Sequence, residues 1–125
     1  MKILRGDLYW CDLYDAEGSE QRGERPVLVI QNDIGNEKSP TVIVAAVTYG
    51  TKKNTHTHAY VNPAESGLDF KSTILLEQIR TIDKKRLGDY IGHLSYDKMI
   101  WVDRALSVSV GLVPFEIRGG TKSAQ

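Results

Sequence analysis

Glu20, Arg25 and Thr48 are a carboxylate, a guanidinium and a hydroxyl, the group types that metal-free cleavage of an RNA phosphodiester needs. Such cleavage requires a base beside the 2′-OH, a donor beside the leaving 5′ oxygen and positive charge against the phosphorane oxygens. A carboxylate can serve as the base, and a guanidinium binds two phosphate oxygens in its planar fork. Preorganised donors aimed at developing charge usually supply the largest catalytic contribution. A guanidinium holds its proton to above pH ~12, so its electrostatic part is firmer than any part in proton transfer. Charge and spacing alone leave a second reading open: a surface ion pair between Glu20 and Arg25, with Thr48 as a strand-end hydroxyl.

The elements around these residues decide whether they meet. Gly18–Asn32 begins as a polar loop carrying Ser19, Glu20, Gln21, Arg22, Glu24 and Arg25, and becomes an aliphatic run after Pro26. A charged loop anchored to a buried strand holds a reactive group rigidly at a solvent edge. Val27–Gln31 and Thr41–Val47 both read as strands buried on two faces, and Asn32–Pro40 between them reads as a turn region. Paired antiparallel with Asn32 opposite Thr41, these strands set Arg25 opposite Thr48 at one rim. A one-residue slip would part them. Pro26 fits only as its strand's first residue, because it cannot donate to a ladder.

Leu8–Leu13 reads as a first strand, with Tyr9, Cys11 and Leu13 on one face. His58–Val61 is a short strand, Ser72–Leu76 a major one continued by Glu77–Ile82, and Leu87–Leu94 holds another. Ser95 is a helix N-cap with Asp97 in the first turn. Met99, Val102, Leu106, Val110 and Val113 recur at spacings of three or four, which predicts an amphipathic helix over Tyr96–Val113. Short strands and one late helix predict a mainly β fold, a small antiparallel barrel capped by a C-terminal helix. Residues 1–117 form its single domain, and 118–125 a polar, disordered tail.

Lysine plus arginine equals aspartate plus glutamate at 16 each, which argues against attachment to duplex DNA by bulk charge. A short single-stranded ligand in a local basic groove stays open. The single cysteine, Cys11, cannot close an internal disulfide and reads as a buried, inert thiol. No window approaches the ~18 apolar residues of a membrane span and no signal peptide opens the chain, so the expected location is the cytoplasm. His56 and His58 alternate as a metal pair would, but without a suitably spaced third ligand they read as solvent-facing loop histidines. His93 reads as a partly buried histidine, Lys84-Lys85-Arg86 as a solvated turn, and Trp10 and Trp101 as core or dimer contacts.

Gly18-Ser19-Glu20-Gln21, Gly23, Arg25-Pro26, Gln31-Asn32-Asp33, Thr48 and Leu75-Leu76-Glu77-Gln78-Ile79-Arg80 together resemble the MazF/PemK family of toxin endoribonucleases. The likeness runs in order from about Arg5 to about Phe115 and is greatest to the bacterial chromosomal MazF branch. It implies a homodimer with an SH3-like (CcdB/PemK-type) barrel that cuts single-stranded RNA at a short sequence. It also implies metal-independent cleavage that leaves a cyclic phosphate or 3′-phosphate and a 5′-hydroxyl, with no cofactor, and inhibition by a MazE-like antitoxin. The family's catalytic arginine and threonine fall on Arg25 and Thr48, and its loop glutamate on Glu20. Ser19, Gln21 and Gln78 match RNA-contacting positions, and Lys52 and Lys53 read either as cations that steer phosphate or as the solvated part of a loop. The loop departs from the family pattern at Leu13-Tyr14-Asp15, where relatives often have a proline, and at Glu24, where a small or neutral residue is usual. Two competing classes are a gyrase-poisoning toxin of the same fold and a catalytically inactive RNA- or antitoxin-binding module. The gyrase poisons use a Trp-Gly-Ile chain end, whereas this chain has Phe115-Glu116-Ile117 and a polar tail.

Overall fold

Strand β3 (Thr41–Tyr49) builds two cores at once, because successive side chains of a strand point to opposite faces. Ala45 and Val47 join Leu8, Leu28, Ile74 and Leu76 on one face. Val42, Val44 and Ala46 join Tyr9, Cys11, Leu13, Val27, Val29 and Ile82 on the other. The computed structural model describes residues 2–51 and 56–114, with the backbone of Glu116–Ile117 and Thr121–Lys122. Lys52, Lys53, Phe115 and most of the predicted tail lie outside the described residues.

The other strands are β1 (Asp7–Asp12), β2 (Glu24–Val29), β4 (His58–Val61), β5 (Ser72–Asp83) and β6 (Leu87–His93). Every pairing is antiparallel. The sheet order is β4-β5-β3-β2-β1-β6, and no ladder joins β4 to β6. The expected mainly β class therefore holds, with the sheet left open at its two edges. Helix α3 (Tyr96–Ser109) is capped at Ser95, whose side chain accepts from Lys98 N–H, and buries Met99, Val102 and Ala105 in the first core. Strands β7 (Glu116–Ile117) and β8 (Thr121–Lys122) pair with each other.

Several local expectations are corrected. The turn region after β2 contains a helix, α1 (Asp33–Lys38), whose N-cap Asn32 accepts from Gly35 N–H. Gly35 inside so short an element masked the helical pattern. A second short helix, α2 (Pro63–Ser66), forms around a capping box of Asn62 and Glu65 and ends at left-handed Gly67. Pro26 is the third residue of β2, opposite Trp10. Even-numbered N–H groups of β2 face β3, as Ile30 N–H to Ile43 C=O shows, and the β2–β3 ladder starts only at Val27. The missing donor of Pro26 is therefore not required there. α3 stops at Ser109, so the periodic Val110 and Val113 lie beyond it and are 49% and 42% exposed. Their spacing was compatible with a helix that Gly111, at φ 78°, does not continue.

Candidate functional site

The β2–β3 register is the expected one: Val27 opposes Ala46, Leu28 opposes Ala45 and Val29 opposes Val44. Extended by two residues it sets Arg25 opposite Thr48, on the face of the second core. Neighbouring ladders lengthen this into one row across the sheet, with Cys11 opposite Arg25, Thr48 opposite Thr73 and Thr73 opposite Tyr60. Thr48 is 9% exposed. Arg25 is half-buried, and its Nε donates to the Arg22 carbonyl at 2.9 Å. That bond fixes the plane of the guanidinium, whose terminal nitrogens have no partner among the described residues. Arg22, Arg80 and Arg86, by contrast, have terminal nitrogens committed to Ala16, Asp15 and Asp12.

Beside this row lies a groove of about 620 Å³ between the β1–β2 loop and β5, floored by Val27, Val44 and Ala46. A large bulge creates its far wall. Ala45 pairs with Ile79 but Ala46 pairs with Leu75, so Leu76, Glu77 and Gln78 have no partners on β3. Bulges of this kind re-aim side chains at the edges of sites. Gln78 reaches across to the loop: its Oε1 accepts from Gln21 N–H at 3.3 Å, and its Nε2 donates to Ser19 C=O at 3.4 Å. Ser19, Gln21 and Gln78 are thus brought together, and the Gln21 side-chain oxygen is buried without a partner. Glu20 also lines the groove. Its carboxylate accepts from Glu17 N–H at 3.0 Å, and no ion pair joins it to Arg25 among the described residues.

Two groupings were not anticipated. Asp15 accepts from Arg80 at 3.0 Å and from Arg86 at 2.7 Å, tying the stem of the loop to the sheet. Bonds from Arg86 first and Arg80 second hold its carboxyl down at about 2. These partners lie 65 and 71 residues away, beyond any local pattern. His58, expected to face solvent, is buried in β4, and its Nε2 lies 3.0 Å from Glu77 Oε2. Glu77 Oε1 accepts from Thr57 Oγ1 at 3.0 Å. The break in alternation at Leu75-Leu76-Glu77-Gln78 was the one visible sign of this wall. No group of His, Cys, Asp and Glu suited to a metal occurs among the described residues. Cys11 is fully buried, and burial pushes its thiol up to about 11.

The family model of PemK-like, MazF-like toxins of type II toxin–antitoxin systems matches residues 4–110. The chain belongs to that family. It is 55% identical to "Endoribonuclease MazF" of Staphylococcus epidermidis, over 91% of this chain and 96% of that protein. It is 53% identical to "Endoribonuclease EndoA" of Bacillus subtilis, over 92% of this chain and all of that protein. Among solved structures it resembles a mycobacterial endoribonuclease in complex with its cognate antitoxin, with TM-score 0.74 and 29% identity over 89% of this chain and 97% of that one. MazF of Deinococcus radiodurans has the same fold, with TM-score 0.76 and 21% identity over 89% and 98% of the two chains. Among the described residues no helix is long and apolar enough to cross a membrane.

Proposed function

We propose that this chain is the endoribonuclease toxin of a type II toxin–antitoxin pair, cutting single-stranded RNA at a short sequence without a metal. The observation that carries the reading is the uncommitted fork of Arg25, set by the extended register against Thr48, two residues along β2 and β3 from the Val27 and Ala46 that floor the groove. RNA bases splayed from a single strand can enter such a groove, whereas the A-form major groove admits no side chains. Glu20 takes the proton of the 2′-OH as that oxygen attacks phosphorus. The P–O5′ bond breaks, and the 5′ oxygen leaves as a hydroxyl, taking its proton from a water molecule in a transfer that the charged Arg25 assists. Arg25 and Thr48 bind the phosphorane oxygens, and the product carries a 2′,3′-cyclic phosphate or, after hydrolysis, a 3′-phosphate. Ser19, Gln21 and Gln78 hold bases, and Lys52 and Lys53 meet the backbone. The acting species is a cytoplasmic homodimer, and a MazE-like antitoxin occupies the groove in the inhibited complex. The names of the curated relatives, and the antitoxin in the mycobacterial complex, support this reading.

A defined single-stranded RNA incubated with the purified protein in EDTA tests it. Arg25→Ala and Thr48→Ala are each expected to cut at least ~100-fold more slowly, the scale of a lost oxyanion donor. Glu20→Gln should lose a comparable factor if it is the base. All three should keep the parent circular dichroism spectrum and melting midpoint. Undiminished cleavage by the Arg25 and Thr48 variants would remove both from the mechanism.

A further inference from the structure

Glu77 stands on the bulge of β5 with 41% of its side chain exposed, and it lines the groove beside Ser19, Gln21 and Gln78. Both of its oxygens already accept one hydrogen bond, from Thr57 Oγ1 and from His58 Nε2, each at 3.0 Å. A carboxylate oxygen can accept two, so one lone-pair direction on each oxygen is left, and the group has only acceptors to offer the groove. His58 is itself 5% exposed in its side chain, and its Nδ1 is buried with no partner. That unmet nitrogen is a cost to the fold. The ring's hydrogen bond goes to Glu77, so its contribution is to aim that carboxylate.

The charges of the groove favour a base over a phosphate at this wall. Glu17, Glu20 and Glu77 line it, and Arg80, the one lining cation among the described residues, is occupied by Asp15. A phosphate would meet repulsion here, whereas an amino group of a base would meet acceptors. Carboxylates read the exocyclic amino group of cytosine in this way, whereas uracil carries a carbonyl in place of that amino group and has only its ring N3–H to donate.

We propose that Glu77 is a base-reading residue, accepting from the exocyclic amino group of one RNA base in the groove, with His58 and Thr57 as its positioning residues. A base that carries an amino group is preferred over uracil at that subsite. The assignment rests on the endoribonuclease reading above.

The test is cleavage of a randomised single-stranded RNA pool by the full chain, with the new 5′-hydroxyl ends sequenced. The wild type is expected to disfavour uracil by about 10-fold at one position near the cut, the scale of one lost hydrogen bond to a charged group. Glu77→Gln, whose amide also donates, should lower that preference to about threefold and leave the other positions unchanged. His58→Leu should relax the same position, and His58→Gln, which keeps a donor toward Glu77, should restore it. An analogue of the preferred base without its amino group should slow the wild type about 10-fold, and the Glu77→Gln variant little. The wild-type half of this arm stands even if a variant misfolds by circular dichroism, and an analogue cut as fast as the parent base overturns the assignment. A pool left uncut by the wild type overturns the endoribonuclease reading and this assignment with it. Cleavage with no position that disfavours uracil, an unchanged motif in Glu77→Gln, or a rate loss spread evenly over all sequences overturns this assignment alone.

Discussion

Cys11 and Arg25 oppose each other across β1 and β2, and the fold treats them in opposite ways. Arg25 ends in nitrogens with no partner among the described residues, while Cys11 is fully buried. Burial raises the Cys11 thiol from 9.0 to about 11, against the opposing pull of Arg86 and Arg80. The neutral thiol is therefore favoured in the folded chain. Its contribution to stability is complete below about pH 9 and fades as pH rises toward 11. At pH 8 the folded protein holds about 100-fold less thiolate than the unfolded chain, and the thiolate is the nucleophile. Iodoacetamide should accordingly label Cys11 at least ~100-fold more slowly in buffer than in urea. Comparable rates in the two conditions would show that the thiol is accessible and not suppressed.

The loop between β1 and β2 has no regular structure of its own, so its shape depends on ties to other elements. Asp15 holds its stem to Arg80 and Arg86, and Gln78 holds its crest through Gln21 and Ser19. Asp15→Asn keeps the size of the side chain and removes the charge. It should speed tryptic cutting after the exposed Arg22 several-fold while the global melt stays in place. The wild type should loosen in the same way in acid. Asp15 titrates near 2 in the fold against 3.8 as a free group, so its ion pairs contribute fully above about pH 4 and are lost as pH falls toward 2. Amide exchange across residues 14–23, followed between pH 5 and 2.5, reads this directly. A loop equally protected in both states would show that Asp15 does not order it.

One sheet with a core on each face gives the molecule little tolerance for cavities. Leu28 is fully buried in the core beneath α3, and Val29, its neighbour in β2, is fully buried in the core on the groove side. Leu28→Ala should cost about 2–5 kcal/mol, the range for a buried leucine whose cavity collapses only in part. That is a large share of the roughly 5–15 kcal/mol that holds a single domain folded. Urea unfolding should show a lower midpoint at unchanged slope. A shift under about 1 kcal/mol would mean that α3 settles into the space.

Much of this arrangement was legible in the chain itself. Two aliphatic runs and a short connection showed that β2 and β3 form and pair, but with both faces buried they did not fix the register, and the pairing of Val27 with Ala46 came from the structure. The family motif lay in order along the sequence, and Ser95 marked the start of α3. What stayed hidden were pairings between distant residues. His58 read as a solvent-facing histidine because nothing near it in sequence announces Glu77, 19 residues on across a ladder. Asp15 read as a loop residue until β5 and the turn after it brought two guanidiniums to it. The bulge that turns Glu77 and Gln78 toward the groove is likewise a property of strand pairing. Local chemistry determined which elements form and which residues can act. Only the tertiary structure decided which of those residues stand side by side, since contacts across a sheet depend on register and bulges rather than on spacing along the chain.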